Sequence, residues 1–263
     1  MDLKEFDFSG DNNINRHPWE LARLSFIMNI FSDYSAGFCR NNAYIADLGC
    51  GDAFIMRALA SRYPFYNFIG VDTGFNANII DLMSKVSYPE NITLSDTLPE
   101  ASLSNGSICC VLMLDLLEHI ADDKEYLVKL RNNSRLAPNA GFIITVPAFT
   151  CLFSSHDTLL RHFRRYTVHK LSTLVTKADL QILECGYIFH FPLIWRIVEK
   201  NLESLKLRAD KKETDVSSWR GSPVLTSILS KLLYHESNMS RFFNKNRLCI
   251  PGLTCYIVCQ KSV

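Results

Sequence analysis

One hexapeptide constrains this chain more than any other segment. Asp47-Leu48-Gly49-Cys50-Gly51-Asp52 closes the apolar run Ala43–Leu48 and leads into the helix-patterned stretch Ala53–Arg62. Paired glycines between a buried strand and a helix let the backbone pass close to a ligand, and the helix start behind them presents free N–H groups. The arrangement points to a nucleotide-like ligand. A dinucleotide fingerprint needs a third glycine, but Phe54 stands at that position, so no tight pyrophosphate seat is expected and a nicotinamide oxidoreductase is disfavoured.

The alternation that begins there continues downstream. Phe68–Asp72, Ile92–Ser95, Ile108–Leu114 and Phe142–Val146 read as buried strands, with Ile108–Leu114 the expected central one. Helical spacing falls at Trp19–Phe31, Asn76–Met83 and Asp122–Leu136, and Pro138-Asn139-Ala140-Gly141 reads as a turn. Five strand–helix units in about 105 residues imply an α/β fold, a doubly wound Rossmann-like core on a mostly parallel sheet. After Pro147 come a polar loop (150–168), a helix (168–178), a strand (181–189), helices at 193–207 and 225–234, and a last strand at 254–259. Residues 208–220 read as an exposed loop. The expected organisation is a helical cover (1–40), a ligand-binding core (41–190), a helical substrate cap (191–250) and a final core strand (251–263), making seven strands in all.

Composition fits a globular chain: 48% of residues are hydrophobic, and Gly and Pro together number 20 of 263, which excludes disordered and collagenous classes. Charge is lopsided. Residues 1–154 hold 11 Lys and Arg against 18 Asp and Glu, whereas 155–263 hold 17 against 9. The basic half suits an anionic acceptor or surface, with solvated helix faces as the alternative. Nine cysteines without a Cys-x-x-Cys pair read as small buried hydrophobes in a reducing compartment, neither a disulfide framework nor a zinc cluster. The N-terminus lacks a signal-peptide pattern and no apolar run is long enough to span a membrane, so a cytoplasmic location is expected.

Further acids follow the other strands in order. Asp72 ends the second strand, where a carboxylate accepts hydrogen bonds from two ribose hydroxyls, and Asp96-Thr97 follows the third, suited to an adenine amine. With Leu114-Asp115-Leu116-Leu117-Glu118-His119 after the fourth, these motifs resemble the class I S-adenosylmethionine-dependent methyltransferases over residues 40–190. The resemblance implies S-adenosylmethionine as cofactor, with Asp47, Gly49 and Gly51 at its methionine part, Asp72 at the ribose, Asp96 and Thr97 at the adenine, and Cys50, Thr73 and Leu114 as further cofactor-binding residues. It also implies that Arg16-His17-Pro18-Trp19 folds over the cofactor. One departure is Asp52-Ala53 in place of the family's usual Thr-Gly; Asp52 reads first as a helix cap and otherwise as a partner for a cation.

Ser155-His156-Asp157 and Arg161-His162-Phe163-Arg164-Arg165-Tyr166-Thr167 resemble the His-Asp…His-x-Arg-Arg-Tyr-Thr segment of a bacterial methyltransferase subgroup. This loop leaves the carboxyl end of the fifth strand, where open α/β sheets place the substrate crevice. His156 and Asp157 are the candidate general bases, with His119 the third catalytic candidate. His162, Arg164, Arg165, Tyr166 and Trp195 are candidate acceptor contacts, although the loop's His and Arg side chains suit a structural bracing role equally well. Asp115, Glu118 and His119 would share one face if helical, and the run is similar to that of ubiquinone-type O-methyltransferases, some of which use a divalent metal. Glu-His is common there without metal, so none is expected. The expected function is methyl transfer to an oxygen or nitrogen of a small-molecule, sugar or lipid-linked acceptor. The alternative is a cofactor-binding or regulatory protein that has lost catalysis. Nucleic acid is not expected as a partner, since no base-flipping motif follows strand four; contact with a membrane surface stays open through the aromatic cap.

Overall fold

The five runs read as buried strands form strands: β1 (Tyr44–Leu48), β2 (Asn67–Val71), β3 (Ile92–Ser95), β4 (Ile108–Leu114) and β5 (Leu136–Pro147), joined later by β6 (Leu180–Ile188) and β7 (Thr254–Lys261). The computed structural model describes residues 16–84, 89–204, 219, 221–245 and 248–262, without the side chains of 77, 82, 84, 199 and 201–204. The expected loop at 208–220 falls almost wholly outside the described residues. The strands form one seven-stranded sheet in the order β3-β2-β1-β4-β5-β7-β6. β1 to β5 run parallel, and β7 lies antiparallel between β5 and β6. All seven residues of β4 are buried, as its unbroken hydrophobicity predicts for a central strand. This is the doubly wound Rossmann-like arrangement expected from the sequence.

Helices cover both faces. α1 (Pro18–Phe38), α2 (Phe54–Arg62) and α3 (Ala77–Ser84) flank the first strands; α4 (Asp123–Arg131), α5 (Ser155–Leu159) and α6 (Val168–Lys177) belong to the second half, and α7 (His190–Ser204) and α8 (Pro223–Lys245) follow β6. α1 begins sharply because Pro18 occupies its first turn and His17 and Glu20 form a reciprocal cap. It is more than a cover: Phe26, Ile27, Ile30 and Phe31 lie fully inside one of the two cores that sandwich the sheet. At its end Phe38 packs against Gly141 of β5, where a Cβ would stand 2.0 Å from the ring.

Three expectations are corrected. The Pro138-Asn139-Ala140-Gly141 segment is not a turn before β5 but an irregularity inside it. Ile108 pairs with Leu136 and Cys110 with Gly141, leaving the intervening residues bulged. The helix expected to reach Leu136 accordingly stops at Arg131. Nor are all nine cysteines free: Cys39, just past α1, and Cys109 of β4 form a disulfide with Cα atoms 5.0 Å apart. Their separation of 70 residues hides the pair from any spacing rule, and only the packing of α1 on β4 brings them together.

α8 is also longer than its expected 225–234 and is fastened to the core. Glu184 of β6 accepts hydrogen bonds from Arg241 (2.8 Å), Tyr34 of α1 (2.7 Å) and Tyr256 of β7 (2.9 Å), while Arg241 pairs with Asp33 at 2.7 Å. Burial alone would raise the Glu184 carboxyl, but the hydrogen bonds from Arg241 and Tyr34 outweigh it and hold it below its ordinary value. Removing one partner of a buried ion pair costs about 3–5 kcal/mol. Arg241→Ala is therefore expected to lose that much in urea unfolding at pH 7. A carboxyl held low contributes fully above the ordinary Glu range and loses its contribution as pH falls through the folded value, so the deficit should shrink in acid. A loss under 1 kcal/mol at pH 7 would show that this network does not hold α8.

Candidate active site

The two halves of the sheet wind in opposite directions from the β1/β4 boundary, and loops at the carboxyl ends diverge there to leave a crevice. A cavity of about 1500 Å³ occupies it, lined by the β1–α2 turn, the end of β2, the β4 loop, the loop after β5, and α7 and α8.

The glycine turn forms its floor. Gly49 (φ 72°), Gly51 (φ 54°) and Ala53 (φ 56°) are all left-handed, a path that the glycines take without strain. Gly49 has a further reason, since a Cβ there would meet Leu116 of the β4 loop at 2.9 Å. The Asp72 carboxylate fixes the turn, accepting from Gly51 N (3.0 Å) and Gly74 N (2.9 Å). Asp47, Cys50, Thr73 and Leu114 line the same cavity, so seven of the nine expected cofactor residues come together. Asp96 and Thr97 are exposed and lie outside the cavity lining.

Asp52 meets the start of α2 only through a long hydrogen bond, accepting from Phe54 N at 3.5 Å. The N-cap residue is Ala53, without a side-chain cap, and Asp52 pairs with Arg16 at 2.5 Å. Arg16 also lies 4.2 Å over the Phe54 ring, so the segment before α1 is drawn across the turn. Arg23 is a residue that sequence reading passed over. It reaches from α1 to Asp115 (2.8 Å) and Thr145 (3.0 Å), and Thr145 donates to Asp115 at 3.0 Å. An arginine among the buried phenylalanines and isoleucines of an amphipathic helix was the available signal.

The Asp115–His119 run is not the helix face that its spacing predicts. Asp115 is left-handed (φ 58°), and only Leu117–His119 forms a single 3₁₀ turn. That turn places Glu118 and His119 on the cavity wall.

The loop after β5 divides by role. His156, His162 and Arg165 line the cavity, as does Trp195 of α7, which is 65% exposed at the rim. Asp157, Arg164 and Tyr166 do not. Asp157 is fully buried and accepts from His162 Nδ1 (2.8 Å), Arg165 Nε and Nη2 (2.8 and 2.9 Å), and Ser154 N (2.8 Å). Burial would raise its carboxyl, but the hydrogen bonds from His162 and Arg165 hold it far below the ordinary range, which corrects the expectation of a general base. It positions His162 instead. Arg164 pairs with Asp123 (2.7 Å) and donates to Ala121 O. Tyr166 donates its one hydroxyl proton to Asp123 (2.8 Å), with Leu117 O also within reach at 3.2 Å. Both brace the β4 loop rather than meet an acceptor, because the loop folds inward at these side chains.

The chain matches no family model and no curated protein. Solved structures do match. A methyltransferase described as a putative sarcosine dimethylglycine methyltransferase from Galdieria sulphuraria aligns with a TM-score of 0.57 at 14% identity over 92% of this chain and 86% of that one. Haemonchus contortus phosphoethanolamine N-methyltransferase 2, in complex with S-adenosyl-L-methionine, gives 0.55 at 15% over 99% of this chain and 57% of that one. An S-adenosylmethionine-dependent methyltransferase from Archaeoglobus fulgidus gives 0.50 at 16% over 90% and 94%. The chain has the class I methyltransferase fold. At these identities the likeness speaks for that fold and not for an acceptor.

Electrostatics add a test. Burial pushes the Asp47 carboxyl up to about 7; Arg23 counters this, and the neighbouring Asp72 and Asp52 add to it. Its folded value lies above the ordinary 3.8, so between those values the folded chain holds a proton that the unfolded chain has lost, and stability falls as pH rises through that window. Asp47→Asn should flatten the decline in melting temperature between pH 5 and about 8. An unchanged slope would show that Asp47 is ionised throughout.

Proposed function

We propose that the protein is an S-adenosylmethionine-dependent methyltransferase acting on an oxygen or nitrogen of a small-molecule, sugar or lipid-linked acceptor. The observation that carries this reading is the glycine turn pinned by Asp72 on the floor of a cavity roomy enough for cofactor and acceptor together. The site's chemistry fits the cofactor. Asp47, Asp72 and Asp115 line it, and carboxylates suit an ammonium and a sulfonium; the open turn suits an amino acid better than a diphosphate. When bound, the cofactor supplies the methyl group.

The chain's own residues would do the rest. Asp72, held by two backbone N–H groups, would accept the ribose hydroxyls, and Asp47 would hold the ammonium group. The strap of Arg16, His17 and Trp19 would exclude water from above. His156, His162, Arg165 and Trp195 bound the acceptor side, where alignment of nucleophile and methyl group accounts for much of the rate. His156 is the residue placed to take a proton from the acceptor.

Among acceptors, one with an apolar part is favoured. Phe191, Ile194, Trp195 and Val198 of α7 and Val224, Ile228 and Leu232 of α8 are exposed, and Phe191, Trp195 and Leu232 line the cavity as well. Such a patch suits a lipid-linked acceptor or a membrane surface. No described helix is long and apolar enough to cross a membrane. The alternative, a cofactor-binding protein without transfer, drew on Asp52-Ala53; the ion pair with Arg16 balances that added charge and weakens its motive.

Calorimetric titration with S-adenosylhomocysteine tests the reading. Binding in the micromolar range is expected, weakened about 100-fold by Asp72→Ala, as for two charge-assisted hydrogen bonds of roughly 1.5 kcal/mol each. Absence of binding by the intact chain contradicts it.

A further inference from the structure

Glu118 is the most anomalous side chain in the cavity wall. It is fully buried, yet among the described residues neither carboxyl oxygen has a hydrogen-bond partner. Buried polar atoms are nearly always satisfied, and a buried carboxyl group without a partner is costly, so such a group calls for a ligand.

Two imidazoles stand beside it. His119 is its chain neighbour, and His162 arrives from the loop after β5. One ligand atom from each of the three side chains lies within 4.8 Å of the others. The two rings meet edge to face with centroids 4.6 Å apart. Metal-ligand bonds of about 2.0–2.2 Å put neighbouring ligands roughly 3.5 Å apart, so a bound ion would draw the three side chains slightly closer.

His162 is prepared for the role. Its Nδ1 bonds to Asp157, an anion that can only accept, so Nδ1 carries a proton and Nε2 is the nitrogen left for a metal ion. Asp157 is in turn clamped by Arg165 and the Ser154 backbone. A carboxylate fixing the far nitrogen of an imidazole is the usual support for a metal-bound histidine. Glu118 is tied to the same loop, since its carbonyl accepts from Phe163 N at 2.7 Å. Asp115 takes no part: Arg23 and Thr145 occupy its carboxylate.

We propose that Glu118, His119 and His162 bind a divalent first-row transition metal ion, with Asp157 as the residue that orients His162. Two imidazoles and one carboxylate suit zinc, cobalt, iron or manganese better than magnesium or calcium, which prefer all-oxygen sets. Three protein ligands leave positions open towards the cavity, where a hydroxyl or carbonyl oxygen of the acceptor would complete the shell. That last assignment rests on the methyltransferase reading; metal binding itself does not.

The test is titration of chelator-treated, full-length protein with cobalt(II), read by its visible absorption, and with zinc(II) by competition. The intact chain should bind one equivalent. Glu118→Gln and His162→Gln, both near-isosteric, should each lose at least tenfold in affinity, and Asp157→Asn should lose 10–100-fold. Circular dichroism and S-adenosylhomocysteine binding report whether each variant is folded. No stoichiometric uptake by the intact chain overturns the proposal, as does undiminished uptake by the folded glutamine variants. Cofactor binding without metal uptake refutes this site alone, whereas metal uptake without cofactor binding supports it and refutes the methyltransferase reading.

Discussion

The gap between β1 and β4 is the constraint on which the rest of the molecule depends. Chain direction reverses its winding there, so the turns leaving the two strands cannot pack on one another and a crevice opens over the carboxyl edge. Asp72 secures one side of the crevice by holding Gly51 and Gly74 through their backbone N–H groups. Arg23 secures the other, joining α1 to Asp115 and Thr145. Both are charged groups whose partners sit at or just past the carboxyl ends of β1, β2, β4 and β5, so the shape of the cavity follows from the order of the strands.

The wall formed by the loop after β5 is built differently. It is bridged to the end of β5 at Tyr166, and a buried anion organises the rest. Asp157 gathers His162, Arg165 and the start of α5 around one carboxylate, while Tyr166 and Arg164 meet at Asp123 and hold the β4 loop against the same segment. The charged run 156–166 is thus mostly internal scaffolding that aims a few groups, His162 above all, into the cavity. α7 and α8 close the far side and leave apolar side chains outward, so the enclosure has a polar floor and a greasy rim.

Much of this was legible in the residues. β3 and β4 occupy their expected spans, and β1 and β2 differ by a residue or so, because short apolar runs between glycine and polar breaks carry a strong periodic signal. The glycine turn and Asp72 were legible for a similar reason, since backbone chemistry fixes both residue type and position. Side-chain partnerships were not. Asp157 looked like a base because sequence shows its neighbours along the chain but not the arginine eight positions on folding back onto it. Cys39 and Cys109, Arg16 and Asp52, and Arg23 and Asp115 are likewise pairs made by tertiary packing. The Asp115–His119 spacing misled because a left-handed residue breaks the helix it assumes.

The central claim is that the β1/β4 crevice holds S-adenosylmethionine. The most direct measurement is hydrogen exchange on the full chain with and without S-adenosylhomocysteine. The account predicts slowed exchange at the amides of 49–51, 71–74 and 115–119 and little change in α6 or at the β6 edge. Protection centred elsewhere, or none at saturating ligand, would contradict it.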